Sequence, residues 1–447
     1  MNIQKADYLI IGGGPVGIQA CRMLRMSKPE ASVTVLRPED FSVIYCAIPY
    51  VIEGLIEPSS IAKKDELITE TGAQLLKISA SKVDFSGHLV TLTDGQQIEY
   101  GKLIIATGAV PFVPPVPGHG LKNIFTVKTA KDTDVIKAAA SKAAKVVVIG
   151  AGAIGIEQAQ AMQALGIETH LVDMAAHPLS TMFDSEFGQI ISEQVIASGI
   201  KWQGSAPLQK FGGNDSVSEV ILGNGSSISL NAGKDFVIVS AGVKPELELF
   251  RASDLEIVKD GIVVNERMQT NIPDVYAAGD CVHFASAIDG QPLGGKLATN
   301  AVPMAKVAAR NLLGKEATYK GFVNGAATCV GDLRVGGTGF TESFAKLRGF
   351  TTVCGFGQTT SRFPIMPGAK KVQVKLVAYA KTGRLLGGQI IGPDAVAERI
   401  DVISLALQHK MHLSDLAELS YSAQPWQTFY PAANPIVMAA EEALKKL

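Results

Sequence analysis

Three observations predict an α/β protein with two dinucleotide-binding units and a further C-terminal unit. A strand–glycine loop–helix pattern occurs twice, a Pro/Gly-rich segment (111–118) separates the copies, and the last third mixes strand and helix patterns without such a loop. At 447 residues the chain is too long for a single core and should divide into domains. A hydrophobic content of 47% and a net charge of −1 describe an ordinary globular protein, with no charge excess to attract nucleic acid. The longest apolar runs are broken by Gly or Pro, as between Leu103 and Pro117, and none reaches the ~18 residues that suggest a membrane span. Met1 to Asp7 lead directly into the first strand pattern, so no signal peptide and a cytoplasmic location are expected.

The first copy begins with the apolar strand Tyr8-Leu9-Ile10-Ile11 and continues through Gly12-Gly13-Gly14-Pro15-Val16-Gly17 into a helix. The second runs from Val146-Val147-Val148-Ile149 through Gly150-Ala151-Gly152-Ala153-Ile154-Gly155. In this Rossmann-like pattern the first glycine allows a tight turn, the second lets the backbone approach a pyrophosphate, and the third lets helix pack on strand. The helix N-terminus then offers unpaired N–H groups to the phosphates. After the second copy the strand His170-Leu171-Val172 ends in Asp173, whose carboxylate suits a free 2′-hydroxyl and repels a 2′-phosphate, favouring NADH over NADPH. After the first copy Arg37 stands where an acid is usual, with Glu39 or Asp40 as substitutes.

Of the cysteines at 21, 46, 281, 329 and 354, no two form a CxxC or CxxxxC pair. Without such a pair, dithiol redox chemistry is not expected, and the odd count and wide spacing argue against a secreted disulfide framework or a zinc site. Cys21, Cys281, Cys329 and Cys354 are expected to be packing residues. Cys46, in Tyr45-Cys46-Ala47-Ile48-Pro49-Tyr50, is expected to head a helix, where a thiolate is favoured.

Ala106-Thr107-Gly108-Ala109, Gly242-Val243-Lys244-Pro245 and Thr270 to Asp280, ending Ala278-Gly279-Asp280, complete a set of markers that resembles the flavoprotein disulfide reductases along essentially the whole chain. The Cys46 segment is similar to the Cys-Gly-Leu/Ile-Pro-Tyr stretch of their single-cysteine branch, which includes CoA-disulfide reductases, NADH-dependent persulfide reductases, and NADH oxidases and peroxidases. The resemblance implies a discontinuous FAD domain of residues 1–118 and 245–322, an NADH domain of 119–244, and a dimerisation domain of 323–447. It implies FAD contacts at Gly12, Gly14, Pro15, Gly17, Arg37, Thr107, Gly108, Gly279 and Asp280, and NADH contacts at Gly150, Gly152, Ile154, Gly155, Asp173 and Gly242. Within the C-terminal unit, strand patterns at 333–339, 351–357, 371–379 and 385–391 precede helical patterns at 395–409 and 435–447.

The function implied is transfer of electrons from NADH through flavin and Cys46 to the sulfur–sulfur bond of a small thiol derivative: CoA persulfide, CoA disulfide or polysulfide. Tyr421 matches a tyrosine that CoA-disulfide reductases bring across a homodimer interface to steady the leaving thiol, and Tyr430 lies in the same segment. Those enzymes carry a second tyrosine where this chain has Ile365-Met366-Pro367-Gly368. Arg22, Arg25, Lys63 and Lys64 are candidate contacts for CoA phosphates. The rivals are an NADH oxidase or peroxidase, an electron-transfer reductase serving a protein or quinone acceptor, and a nucleotide-sensing protein without turnover. Oxidase and peroxidase members carry a histidine in the first glycine loop, where this chain has Pro15.

Overall fold

The computed structural model describes residues 3–447. Alternating burial and β-branched residues build the first sheet from β1 (Ile3–Ile11), which carries the first glycine loop into α1 (Pro15–Ser27) and returns through β2 (Val33–Leu36). The chain then makes a short ladder of β3 (Ser42–Val43), a helical turn containing Cys46, α2 (Ile48–Glu53) and β4 (Ala62–Lys63). A short α3 (Glu66–Thr69) leads to β5 (Gln74–Leu76), β6 (Ala80–Asp84), β7 (Leu89–Leu92) and β8 (Gln97–Ile105). The sheet order is β5-β2-β1-β8-β7-β6, and the distant strand Val275–Ala277 pairs in parallel with β8. That pairing brings Gly279 and Asp280 to the end of β1 where the glycine loop begins.

The second unit repeats the logic. β9 (Ala109–Pro111) pairs antiparallel with Val243–Pro245, so the outgoing and returning chains cross side by side. Between them lie β10 (Ile124–Phe125), α4 (Ala130–Ala140), β11 (Lys145–Ile149), α5 (Ala153–Ala164), β12 (Glu168–Val172), α6 (Ser185–Ala197) and β13 (Lys201–Gln203). With Phe236–Val239 the five strands form a parallel sheet in the order β10, Phe236–Val239, β11, β12, β13. The central strands are buried on both faces, which accounts for the continuous Val/Ile runs.

The C-terminal unit is a five-stranded antiparallel sheet in the order Ala326–Val330, Leu333–Gly339, Leu385–Gly392, Lys371–Tyr379, Thr352–Thr360. The helices Val396–Gln408 and Pro435–Leu444 pack on it. A Cβ at Gly355 or Gly357 would overlap the Ala439 or Pro435 carbonyl oxygen, so these small residues let the last helix lie directly on the sheet. The four expected strands and two helices are present; the strand Ala326–Val330 is additional.

The packing of the Cys46 turn matters most for the site. Val43, Ile48, Val51, Ile52 and Ile61 share one core with Val146, Val148, Ile156 and Ala159 of the second unit and with Val330 and Val335 of the C-terminal sheet. All three units therefore hold the cysteine-bearing turn.

Candidate active site

Both glycine loops have the geometry their spacing requires. Gly12 and Gly150 have φ of 121° and 104°, and a Cβ at Gly17 or Gly155 would overlap the carbonyl oxygen of Gly12 or Gly150. Gly14 and Gly152 are N-caps, with Pro15 opening α1 and Ile154 exposed on the first turn of α5. Neither cap is closed by a side chain, which leaves the first-turn N–H groups free for phosphates.

Around the first loop, Gly108 and Gly279 have positive φ, and a side chain at Gly279 would press on Val16. Asp280 is half-buried; Lys296 donates to its backbone carbonyl at 3.1 Å, while its carboxylate accepts no hydrogen bond among the described residues, and burial pushes that carboxyl up, opposed by Lys128 and Lys296. A partly buried carboxylate beside the first glycine loop fits a hydroxyl-bearing cofactor chain. Lys128, which sequence reasoning missed, is half-buried beside Asp280 and Glu39, its Nζ 3.8 Å from the Tyr45 ring centroid.

Two expected contacts have structural tasks. Arg37 is buried, its stem beneath Gly13 and its guanidinium donating to the Glu39 and Asp40 carbonyls at 2.9 and 2.7 Å and to Asp65 at 2.6 Å. It thus organises the loop that exposes the Glu39 and Asp40 side chains. The Thr107 hydroxyl donates to the Glu246 carbonyl at 2.8 Å, fastening the crossing between the units.

At the second loop, Asp173 accepts from the backbone N–H of Ala151 at 2.6 Å and of Ala175 at 2.7 Å. Its carboxylate therefore shapes the loop while retaining lone pairs for a ribose. Gly242 has φ 103°, and the buried Ser240 hydroxyl beside Gly155 has no hydrogen-bond partner among the described residues. These features fit a dinucleotide.

Cys46 is exposed and lies in the 3₁₀ turn Tyr45–Ala47, one turn ahead of α2, instead of heading that helix. Tyr50 follows one helical turn later. Ser42 pairs with Lys63 across the β3–β4 ladder, and the Ser42 hydroxyl is buried without a hydrogen-bond partner among the described residues. Lys63 is half-buried beside Cys46; burial pushes its ammonium down, and the cysteine sulfur acts in the opposite direction. Arg22 and Lys64 are exposed. Arg25 spends its Nε on the Thr71 carbonyl at 2.9 Å and a second nitrogen on the Ala31 carbonyl, tying down the end of α1.

Glu157 on α5 is a second residue the sequence reading missed. It accepts a 2.6 Å hydrogen bond from Thr328, and burial pushes its carboxyl up despite that bond. Cys21 and Cys281 are buried, as expected of packing residues, whereas Cys329 is partly exposed and borders Tyr50. Burial pushes the Cys354 thiol to about 12. Tyr421 and Tyr430 are both exposed on the C-terminal segment; the Tyr421 hydroxyl donates to the Pro431 carbonyl, and the Tyr430 ring packs edge-on against Phe363.

No helix among the described residues is long and apolar enough to cross a membrane. The pyridine nucleotide-disulphide oxidoreductase family pattern matches residues 6–305, and the dimerisation domain of the same name matches 326–428. The chain is 34% identical to an NADH oxidase of Methanocaldococcus jannaschii across 98% of this chain and 99% of the relative. It is 31% identical to an NAD(P)H coenzyme A polysulfide/persulfide reductase of Pyrococcus horikoshii, across 98% of each. The solved NAD-dependent persulfide reductase from A. fulgidus superposes with a TM-score of 0.93 at 28% identity, over 98% of this chain and 83% of that one. Two glycine loops, a dimerisation domain and near-complete coverage make the chain a member of the pyridine nucleotide-disulphide oxidoreductase family, an FAD- and NAD(P)H-using oxidoreductase.

Proposed function

We propose that the protein is an NADH-dependent reductase of a sulfur–sulfur bond in a small thiol derivative, with CoA persulfide, CoA disulfide and polysulfide as the acceptor class. The observation that carries this reading is Cys46: an exposed, unpaired thiol on a turn gripped by three units, beside Lys63 and Tyr50. Bound FAD would relay two electrons between NADH and this thiol. Gly12, Gly14, Gly17 and Asp280 would hold FAD; Gly150, Gly152, Gly155 and Asp173 would hold NADH. The Cys46 thiolate is the nucleophile, because a thiolate and not a thiol attacks sulfur. It forms a bond to one sulfur of the acceptor, the acceptor S–S bond breaks, and the other sulfur leaves as a thiolate.

The protein works in this reading as a cytoplasmic homodimer, with Tyr421 and Tyr430 of one chain near Cys46 of its partner. The named P. horikoshii and A. fulgidus relatives support the sulfur acceptor. The NADH oxidase of M. jannaschii favours oxygen as a second reading. Against it stands Pro15 at the position where oxidase-type chains carry a histidine. NADH consumption measured separately with CoA persulfide, CoA disulfide, polysulfide and oxygen tests the choice. Turnover with a sulfur acceptor well above that with oxygen is expected; the reverse order would transfer the protein to the oxidases.

A further inference from the structure

The helical run from Tyr45 to Glu53 places Cys46 and Tyr50 four residues apart, on one face and one turn from each other. Tyr50 is half-buried where α2 packs on α5, and its hydroxyl makes no hydrogen bond among the described residues. The charged and titratable groups facing it are Glu157 of α5, Cys329 of the C-terminal sheet, Cys46 and Glu53, with Lys63 beside Cys46 across the β3–β4 ladder. We propose that the Tyr50 hydroxyl is an in-chain hydrogen-bond donor to the sulfur that departs when Cys46 opens a sulfur–sulfur bond. This deepens the function proposed above and rests on Cys46 as the nucleophile.

Donor availability distinguishes Tyr50 from Tyr421. The Tyr421 hydroxyl donates to the Pro431 carbonyl of its own chain and must exchange that bond to serve a partner's site, whereas that of Tyr50 makes no hydrogen bond among the described residues. Burial, with Glu157, Cys329, Cys46 and Glu53 adding to it, pushes the Tyr50 phenol up to about 12. It therefore keeps its proton at neutral pH and donates a hydrogen bond without transferring it. In the step itself the Cys46 thiolate forms the new S–S bond, the electron pair of the broken bond goes to the departing sulfur, and that thiolate later takes a proton from water.

The test uses FAD-loaded enzyme reduced with NADH and then mixed with disulfides whose leaving thiols range from acidic aromatic to weakly acidic aliphatic. A donor to the leaving sulfur matters most when that sulfur leaves poorly. Tyr50→Phe should slow release of aliphatic thiols about tenfold, the scale of one hydrogen bond, while release of aromatic thiols stays within about twofold. Equal slowing across the series would assign Tyr50 a packing role and overturn the inference, as would no slowing at all. Cys46→Ser run in parallel isolates the parent reading: if it released thiols as fast as wild type, the nucleophile assignment would fail, irrespective of the Tyr50 result.

Discussion

Replacing Lys375 with Met should destabilise the junction between the second unit and the C-terminal unit. Lys375 is 1% exposed and lies 3.2 Å from Asp184, 3.0 Å from Glu186 and 2.9 Å from Glu342. Asp184 also accepts from the backbone N–H groups of Glu342 and Ser343 and from the Gln389 amide, so it stays ionised when the lysine is gone. Breaking a buried pair by removing one partner costs about 3–5 kcal/mol; the partly exposed Glu186 and Glu342 can hydrate, which places this case near 3. For units of this size that corresponds to a fall in Tm on the order of 10 °C. Burial works against ionisation of Glu342, yet Lys346 and Lys375 hold its pKa at about 2, below the ordinary 4.5. A carboxyl lowered on folding contributes stability above its unfolded pKa and loses it as pH falls through the folded one. The gap between wild type and Lys375→Met should therefore be full at pH 7 and narrow below pH 4.5 toward 2. Thermal unfolding followed by circular dichroism at pH 7 and pH 3.5 reads both effects. A Tm within 2 °C of wild type at pH 7 would refute the reasoning.

Asp173→Ala should reduce the preference for NADH over NADPH and also weaken binding of both, because the carboxylate additionally holds Ala151 and Ala175; KM for each nucleotide checks this, and a wild type equally efficient with both would remove the argument. Tyr421→Phe should slow acceptor reduction without altering flavin reduction by NADH, provided the protein sediments as a dimer. Full activity in a monomer would exclude a contribution across an interface.

Much of this architecture was legible because buried parallel strands are written as uninterrupted Val/Ile runs and because glycine loops tolerate few spellings. The strand Ala326–Val330 escaped notice since Ala-Ala-Thr-Cys-Val shows no alternation of apolar and polar residues. Lys375 sits in a strand as any surface lysine would, and only the three carboxylates converging from distant segments explain its burial. Arg37 is similar: its partner Asp65 lies in a separate loop, so the sequence could flag the missing acid without saying what the arginine does. Glu157 and Lys128 become site residues through tertiary packing alone. Tyr50 had a readable signal, one helical turn from Cys46, but a tyrosine after proline reads equally well as core.

The most direct test of the central claim is anaerobic stopped-flow on wild type and Cys46→Ser, following flavin absorbance first with NADH and then with CoA persulfide or CoA disulfide. Both proteins should retain FAD and be bleached by NADH at similar rates, and only wild type should recover its absorbance when the sulfur acceptor is added. Recovery of Cys46→Ser at the wild-type rate would contradict electron transfer through this thiol.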